Sequence, residues 1–576
     1  MQPTEHFAPI DDVQLFYRAW LPPHARKAVV MVHRGHEHSG RLVDVVEELA
    51  LADTAVFAWD ARGHGQSPGE RGDAPSFSRV VKDLDLFVRY VSQTHGIAME
   101  DIVIVGHSVG AVTVATWVHD FAPPVRAMVL VTPALKVKLY VPFARTGLAL
   151  LQKMRGERKS YVQSYVKPTM LTHDAEQAKR YADDPLITRA ISVNVLLDLY
   201  ATAERITADA GAIRVPTLVL SGGADWVVDV KEQQRFFDRL GAQTKRMRIF
   251  DGMYHDLLHE RDRGPVLAEI RSFIDNAFAS DERRASLVDA HRDGYTKREY
   301  DELARPAPAL KNVAFGVQRL SLKTLGKLSN GVRLGWDSGF DSGRSLDYVY
   351  ENRARGALGI GKLIDRTYLD SVGWRGIRQR KLHLEKLLRL AIDRTRASGR
   401  DVRILDVATG CGRYVLDALL YDGDPQVTAL LRDFTPANVE QGRRIANEMG
   451  LADRVRFEQG DAFDEENLAA IAPAPTIAIV SGLYELFGDN AMVQRSLRGI
   501  ARSMNEGGLL IYTGQPWHPQ LEMIARVLTN RDGQPWIMRR RTQEEMDDLV
   551  RAAGFQKLDM EIDRWGIFTV SLAETV

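Results

Sequence analysis

The sequence has almost no sulfur chemistry open to it: of 576 residues, one is a cysteine, Cys411. An intrachain disulfide is therefore excluded, and a reducing compartment is expected. No stretch reaches the ~18 consecutive apolar residues of a membrane span. Met1 to His6 lacks the basic-then-apolar start of a secretory signal. Charge of either sign is not in excess, since Lys plus Arg and Asp plus Glu each number 76. Nothing in that balance points to nucleic acid. Internal repeats and low-complexity tracts are missing too. What is there is an ordinary globular composition, long enough for two large domains. A cytoplasmic protein is the expectation.

The first half is organised around residues 102–111. Ile102, Val103, Ile104 and Val105 read as a strand buried on both faces. Gly106-His107-Ser108-Val109-Gly110 follows, and then helix from Ala111 to His119. A serine on a sharp strand-to-helix turn, with glycine two residues to either side, is the nucleophile-elbow pattern. The small neighbours leave room for a strained backbone, the hydroxyl stands clear of the sheet, and the Val109 N–H points at a developing oxyanion. Around it, 13–20, 28–32, 55–59, 125–131, 215–220 and 245–250 read as strands. Residues 76–95 and 265–278 read as helices. Strands alternating with helices predict an α/β domain on a mainly parallel sheet, with ligands at the carboxyl ends of the strands. From about 133 to 210 helical segments replace the strand pattern, which predicts a helical lid over Ser108.

A serine hydroxyl needs a base, and the base needs an orienting carboxylate. Asp225 lies just past one strand end and His255 just past the next, in the chain order expected on such a sheet. Asp229 is the rival carboxylate. His107 and His38 read as packing or turn residues, and His259 stays open.

Six stretches now resemble one family, the monoacylglycerol lipase and lysophospholipase group of the α/β-hydrolases (serine aminopeptidase S33 type). They are His33 to Arg41, Gly63 to Arg71, Gly106 to Gly110, Asp184 to Leu186, Gly223 to Asp225 and Gly252 to His255, in the family's order. The resemblance implies a serine esterase of lipids acting on monoacylglycerols or lysophospholipids. It casts Ser108 as nucleophile, His255 as base and Asp225 as its orienter. It makes the N–H groups of Gly35 and Val109 the oxyanion donors, and sets Glu37 and Arg41 near the polar end of the acyl-glycerol pocket. The family reads His-Gly where this chain has His33-Arg34. If that glycine needs φ > 0, Arg34 is strained or the loop is redrawn; one consequence considered is that Arg34 meets a phosphate of a lysophospholipid.

Residues 281–335 read as a linker. Leu310, Val313, Val317, Leu320, Leu325 and Leu328 fall near helical spacing, with Lys311, Arg319, Lys323 and Lys327 between them. Packing of this stripe on a neighbouring domain is the favoured reading, with peripheral contact to a membrane surface through 310–328 as the alternative. The second domain is expected over 336–576. Arg378 to Arg396 reads as a long helix, and from Val402 a strand runs into a loop with Gly410 and Gly412. A dinucleotide fingerprint would want glycine again at Val415. Acids at Asp406 and Asp433 suit ribose hydroxyls and a cationic amino group, and a third acid, Asp461, follows Gly460.

This series resembles the class I S-adenosylmethionine (SAM)-dependent methyltransferases, with Ala408 where their first glycine usually stands. The resemblance implies a Rossmann-like fold, SAM as cofactor, and Asp406, Gly410, Gly412, Asp433 and Asp461 as its binding residues. It also implies a glycine turn at 507–508, an antiparallel last strand over 565–570, and an acceptor side near Ser481 to Glu485. Tyr484 and Glu485 read equally well as acceptor-holding or as a turn, and Cys411 as a small packing residue. The chain is thus expected to be a lipid ester hydrolase joined to a methyltransferase of unknown acceptor. A non-catalytic second domain is the alternative. No metal site is expected.

Overall fold

The computed structural model describes residues 1–138, 144–155 and 159–576. The chain divides into two compact units, Met1–Ala285 and Ser286–Val576. The first is built on an eight-stranded sheet. Its strands are β1 (Thr4–Ile10), β2 (Val13–Trp20), β3 (Lys27–Val32), β4 (Thr54–Trp59), β5 (Ile102–His107), β6 (Ala127–Val131), β9 (Thr217–Gly222) and β10 (Lys245–Phe250). Between β6 and β9 lies a separate two-stranded antiparallel sheet, β7 (Tyr161–Gln163) and β8 (Ala190–Ser192). The sheet order is β1-β2-β4-β3-β5-β6-β9-β10. β1, β2 and β4 pair antiparallel, and every pair from β4 to β10 is parallel.

The central strands β3, β5, β6 and β9 are buried at nearly every position because helices cover both faces. The helix Phe77–His95 buries Val81, Leu84, Phe87, Val88 and Val91, and Ser76 caps it by accepting the Arg79 N–H.

The insert between β6 and β9 is not all helical, as its described residues include the β7–β8 pair. Gly72 explains the place of this pair: its backbone lies so close to Ala190 that an added Cβ would sit 2.0 Å from the Ala190 oxygen. Residues 139–143 and 156–158 of the expected lid lie outside the described residues. The insert's last helix, Val193–Ala208, is no loose flap. It buries Leu199, Ala203 and Ile206, and Arg205 forks onto Asp120 at 2.6 and 2.8 Å.

The second unit holds a seven-stranded sheet: β11 (Arg403–Asp406), β12 (Thr428–Asp433), β13 (Val455–Gln459), β14 (Ile477–Val480), β15 (Leu509–Gly514), β16 (Phe555–Ile562) and β17 (Thr569–Thr575). Their order is β13-β12-β11-β14-β15-β17-β16, with β17 antiparallel to both neighbours. The expected last strand over 565–570 is therefore displaced. Asp563 turns the chain at Trp565 to Phe568 by accepting their backbone N–H groups, and pairing begins at Thr569. One face of the sheet packs the helix Val372–Ala397 through Leu384, Leu387, Leu388 and Ala391, a 3-and-4 spacing. The other packs Leu497, Ile500, Met546 and Leu549.

Two expectations for 281–335 change. Residues from Ser286 onward belong to the second unit rather than to a tether. Leu303 is buried with Phe340, Trp374 and Phe568, and the Thr296 hydroxyl donates to Glu545 at 3.0 Å. The helix Ala309–Thr324 also packs by a different face from the one expected. Phe315 and Leu322 meet the core, whereas Leu310 is 89 % exposed and Val313, Val317 and Leu320 are 67, 64 and 63 % exposed. Among the described residues, no helix is long and apolar enough to cross a membrane.

Candidate active sites

Ser108 directly follows β5, held by its N–H on the Val131 oxygen at 2.8 Å. Its backbone sits at φ 55, ψ −112, a conformation non-glycine residues rarely adopt. The flanking glycines are sterically required. A Cβ at Gly110 would lie 2.4 Å from the His33 oxygen, and one at Gly106 would lie 2.7 Å from Ala111 Cα.

The three residues named from sequence converge. The His255 Nε2 lies 2.8 Å from Ser108 Oγ, and its Nδ1 lies 2.8 Å from Asp225 Oδ2. The other Asp225 oxygen accepts the Val227 and Val228 N–H groups at 2.7 and 2.9 Å. Burial alone would raise the Asp225 carboxyl, but His255 and those two amides hold it below its ordinary value. It is therefore ionised and aimed at the ring. Asp229, the rival, caps the helix Val230–Arg239 through the Lys231 N–H.

Gly35 faces Val109 so closely that an added Cβ would sit 2.9 Å from Val109 Cγ2. Neither amide has an acceptor among the described residues. His33 shapes this loop: its Nε2 accepts the Ala61 N–H at 3.0 Å, so its Nδ1 donates to the Arg34 oxygen at 2.7 Å. The left-handed residue of the loop is His36, with φ 71, and Arg34 is not among the strained positions.

Arg34 turns inward. Its guanidinium donates to Glu37 at 2.7 Å and stacks 4.9 Å from the Tyr181 ring. Burial favours a protonated Glu37, yet Arg34, then Arg41 and His259, hold it at about 2. A guanidinium spent on a buried carboxylate is poorly placed to greet a phosphate, which removes the reason for that expectation. Glu37 and Arg41 are themselves buried in this network. His259 belongs to it, bonding Asp256 at 2.9 Å and the Arg41 oxygen at 2.7 Å. Burial would discharge the His259 ring, but Asp256 raises its affinity for a proton. Asp256 and this network were missed from sequence, where only adjacency to His255 could have flagged them. His107 is buried without a hydrogen bond on either ring nitrogen, its Nε2 3.9 Å from Asp256, and burial pushes it down to about 4. His38 bonds Asp184 at 2.9 Å and caps Gly40.

In the second unit the five expected residues line up along one edge of the sheet. Asp406 ends β11, Asp433 ends β12, Asp461 follows β13, and Gly410 and Gly412 form the loop after β11. This edge, where the order reverses between β11 and β14, is where open α/β sheets bind ligands. Gly410 and Gly412 have φ 60 and 74. A Cβ at Gly412 would strike Leu431 at 2.8 Å, while one at Gly410 would meet open space. The Gly410 N–H donates to Asp433 at 2.9 Å, so the glycine loop and the second acid are one structure. Asp406 is fully buried, its carboxyl pushed up to about 7 by burial, and Tyr414 donates to it. Asp461 is exposed and accepts the Phe463 N–H at 2.9 Å. Cys411 packs half-buried on the core, its thiol raised to about 11 by burial. Among the described residues no cluster could hold a metal ion.

The turn after β14 is not a surface turn. Tyr484 and Glu485 are buried, Tyr484 bonding Ser496 at 2.9 Å. Glu485 instead lines a cavity of about 520 Å³ that also touches Gly482, Arg380, Gln515 and His518. The last three were not found from sequence. Gln515 and His518 follow the carboxyl end of β15, a position that could have singled them out.

Comparison with known proteins agrees with both halves. The family described as "Serine aminopeptidase, S33" matches residues 23–262, and the family described as "Putative methyltransferase" matches residues 270–575. The protein YnbC of Escherichia coli is 51% identical over 578 residues, covering 99% of this chain and 98% of that one. The monoacylglycerol lipase of Mycolicibacterium smegmatis is 26% identical over 275 residues, covering 47% of this chain and 96% of its own. The human monoglyceride lipase is 30% identical over 268 residues, covering 45% of this chain and 85% of its own. The chain therefore belongs to the family described as "Putative methyltransferase", which matches its second half, and it joins that domain to a monoacylglycerol-lipase-like α/β-hydrolase.

Proposed function

We propose that the first unit is a serine hydrolase of lipid carboxylic esters, monoacylglycerols or lysophospholipids, working through an acyl-enzyme. The observation that carries this reading is the unbroken line from Ser108 through His255 to Asp225, at 2.8 Å per step. Ser108 Oγ attacks the ester carbonyl while His255 takes its proton, and Asp225 stabilises the imidazolium that results. The Gly35 and Val109 amides, adjacent and without acceptors, bind the oxyanion. The alkoxide leaves with the proton from His255, and a water activated by the same ring then frees the acid and restores Ser108. The described parts of the insert that precede the helix Val193–Ala208 serve as the lid.

The second unit reads as a SAM-dependent methyltransferase. The open space at Gly410 and the acids at the ends of β11 and β12 fit an adenosyl group. Asp433 would hold the ribose, Asp461 the adenine amino group, and Gly410 and Gly412 would let the backbone approach. Asp406 would lie toward the amino-acid end. When bound, SAM supplies an activated methyl group; the chain's own part is to orient and desolvate the partners. The exposed apolar stripe of the helix Ala309–Thr324, with Lys311, Arg319 and Lys323 on it, Lys327 in the turn after it and no acid over 309–328, fits contact with an anionic lipid surface.

The test is a lipid-extract assay with labelled SAM, comparing the wild type with Ser108→Ala. Turnover of a monoacylglycerol should fall roughly 10⁴-fold or more in the variant. Equal turnover by both proteins would sink the hydrolase reading, and failure of S-adenosylhomocysteine to bind in calorimetry would sink the methyltransferase reading.

A further inference from the structure

The cavity beside Glu485 has two unlike walls. Along the sheet edge it is polar, made by Arg380, Gly482, Glu485, Gln515 and His518. Away from the sheet it is apolar, with Leu346, Trp374, Met523, Ile524 and Trp536 among its residues. The polar wall follows β14 and β15, on the same edge as the glycine loop after β11. A molecule filling this space would thus present a polar end beside the glycine loop and an apolar body to the helices.

The hydrogen-bond inventory of the polar wall is lopsided. The Arg380 Nε and the Gln515 Nε2 are buried N–H groups without acceptors. His518 accepts the Gln520 N–H on Nδ1 at 3.1 Å, and burial pushes its ring down to about 4. It is therefore neutral, with the remaining proton on Nε2. The carboxylate of this wall, Glu485, is already answered by Arg380 at 3.4 Å. On the apolar side, Trp536 adds another unpaired N–H. Asp341 pairs one oxygen with Arg531 at 3.2 Å and leaves its Oδ1 without a donor. Three donors along the sheet edge call for a ligand that brings an accepting oxygen.

The rim indicates how such a ligand would arrive. Leu363 lines the cavity and is nevertheless 67 % exposed, and its neighbour Ile360 is 68 % exposed. Gln318 and Leu322, from the helix that carries the exposed apolar stripe, also line it. Exposed apolar side chains at the mouth of an apolar cavity suit a molecule that is itself poorly soluble.

We propose that this cavity is the acceptor site of the second unit and that it takes a single-chain amphiphile. The polar end of that ligand is an oxygen that accepts hydrogen bonds from Arg380, Gln515 and His518, as a long-chain carboxylate does. This rests on reading the second unit as a methyltransferase. It also gives the two halves a chemical relation, since cleavage of a lipid ester releases a molecule of this class.

Photo-crosslinking on the full chain tests it, because labelling is resolved by residue and capture in the first unit is scored separately. The probe is a dodecanoic acid analogue carrying a diazirine on its chain. Label is expected on peptides bearing Leu322, Leu346, Met523 or Trp536. Excess dodecanoate should suppress it, and butyrate and dodecylamine should not. Gln515→Leu should weaken the probe's protection by dodecanoate about tenfold. Affinity should rise about fourfold per methylene until the cavity is full. Label confined to the first unit, or equal competition by butyrate, overturns the proposal; better competition by dodecylamine overturns the assigned head group. Calorimetry with S-adenosylhomocysteine is run beside it. If that ligand binds and the acid does not, this inference fails alone. If the acid binds and S-adenosylhomocysteine does not, the cofactor reading fails instead.

Discussion

Arg34 shows how one side chain changes what a loop can tolerate. Its guanidinium faces a carboxylate, Glu37, that is 1 % exposed, and Arg41 approaches the same carboxylate at 3.6 Å. Arg34→Ala should leave Glu37 buried and undercompensated, lowering stability by about 3–5 kcal/mol in urea denaturation. The ratio of lysophospholipid to monoacylglycerol turnover should not move. A change in that ratio would restore the phosphate role for Arg34. The same pair predicts an acid limb. Glu37 is held at about 2 in the folded protein, below its unfolded value near 4.3. Its contribution is fully present above about pH 4.3 and is lost as pH falls toward 2. Glu37→Gln should flatten that part of the stability–pH curve. Strand ends and turn glycines make Ser108, Asp225 and His255 legible in the sequence as positions, and the fold brings the three together. The Arg34–Glu37–Asp256 network is not legible there, since burial of charge leaves no local mark on a sequence.

Among the elements, the helix Ala309–Thr324 separates two tasks between two faces. Phe315 and Leu322 pack on the core, and Val313 and Val317 stand in solvent. Val313→Glu with Val317→Glu should therefore shift stability by less than about 0.5 kcal/mol. Phe315→Ala should cost ~2 kcal/mol or more through lost packing. On vesicles containing anionic lipid, the double variant should sediment with the lipid several-fold less than the wild type. Equal sedimentation would remove the lipid-surface role. The amphipathic spacing was legible, but the direction of the stripe was not, because periodicity says that a face exists and not what meets it. The displaced strand at Thr569 has a similar cause: Trp565 to Phe568 have strand-like composition, and only Asp563 accepting their amides turns them aside.

For the whole molecule, the α/β class, the alternation of strands and helices, and the two families were all readable from motif order. The boundary was not, because 286–335 looks linker-like in composition while contributing Thr296, Leu303, Phe315 and Leu322 to the second unit. Two fragments test the difference. Residues 286–576 should express as a soluble species with one cooperative melting transition. Residues 336–576 should aggregate, because removing the leading helices bares Phe340, Trp374 and Phe568. Equal solubility of the two fragments would return 286–335 to the role of a tether.

β17 sits between β15 and β16, although it follows every other strand of its sheet along the chain. Until the ribosome has released residues 569–575, β15 has one side unsatisfied and β16 has no partner at all. The nascent second unit must wait with an open slot in its middle, flanked by the apolar surfaces that Val570 and Leu572 will close. A stop codon anywhere between β16 and β17 would strand the domain in that waiting state.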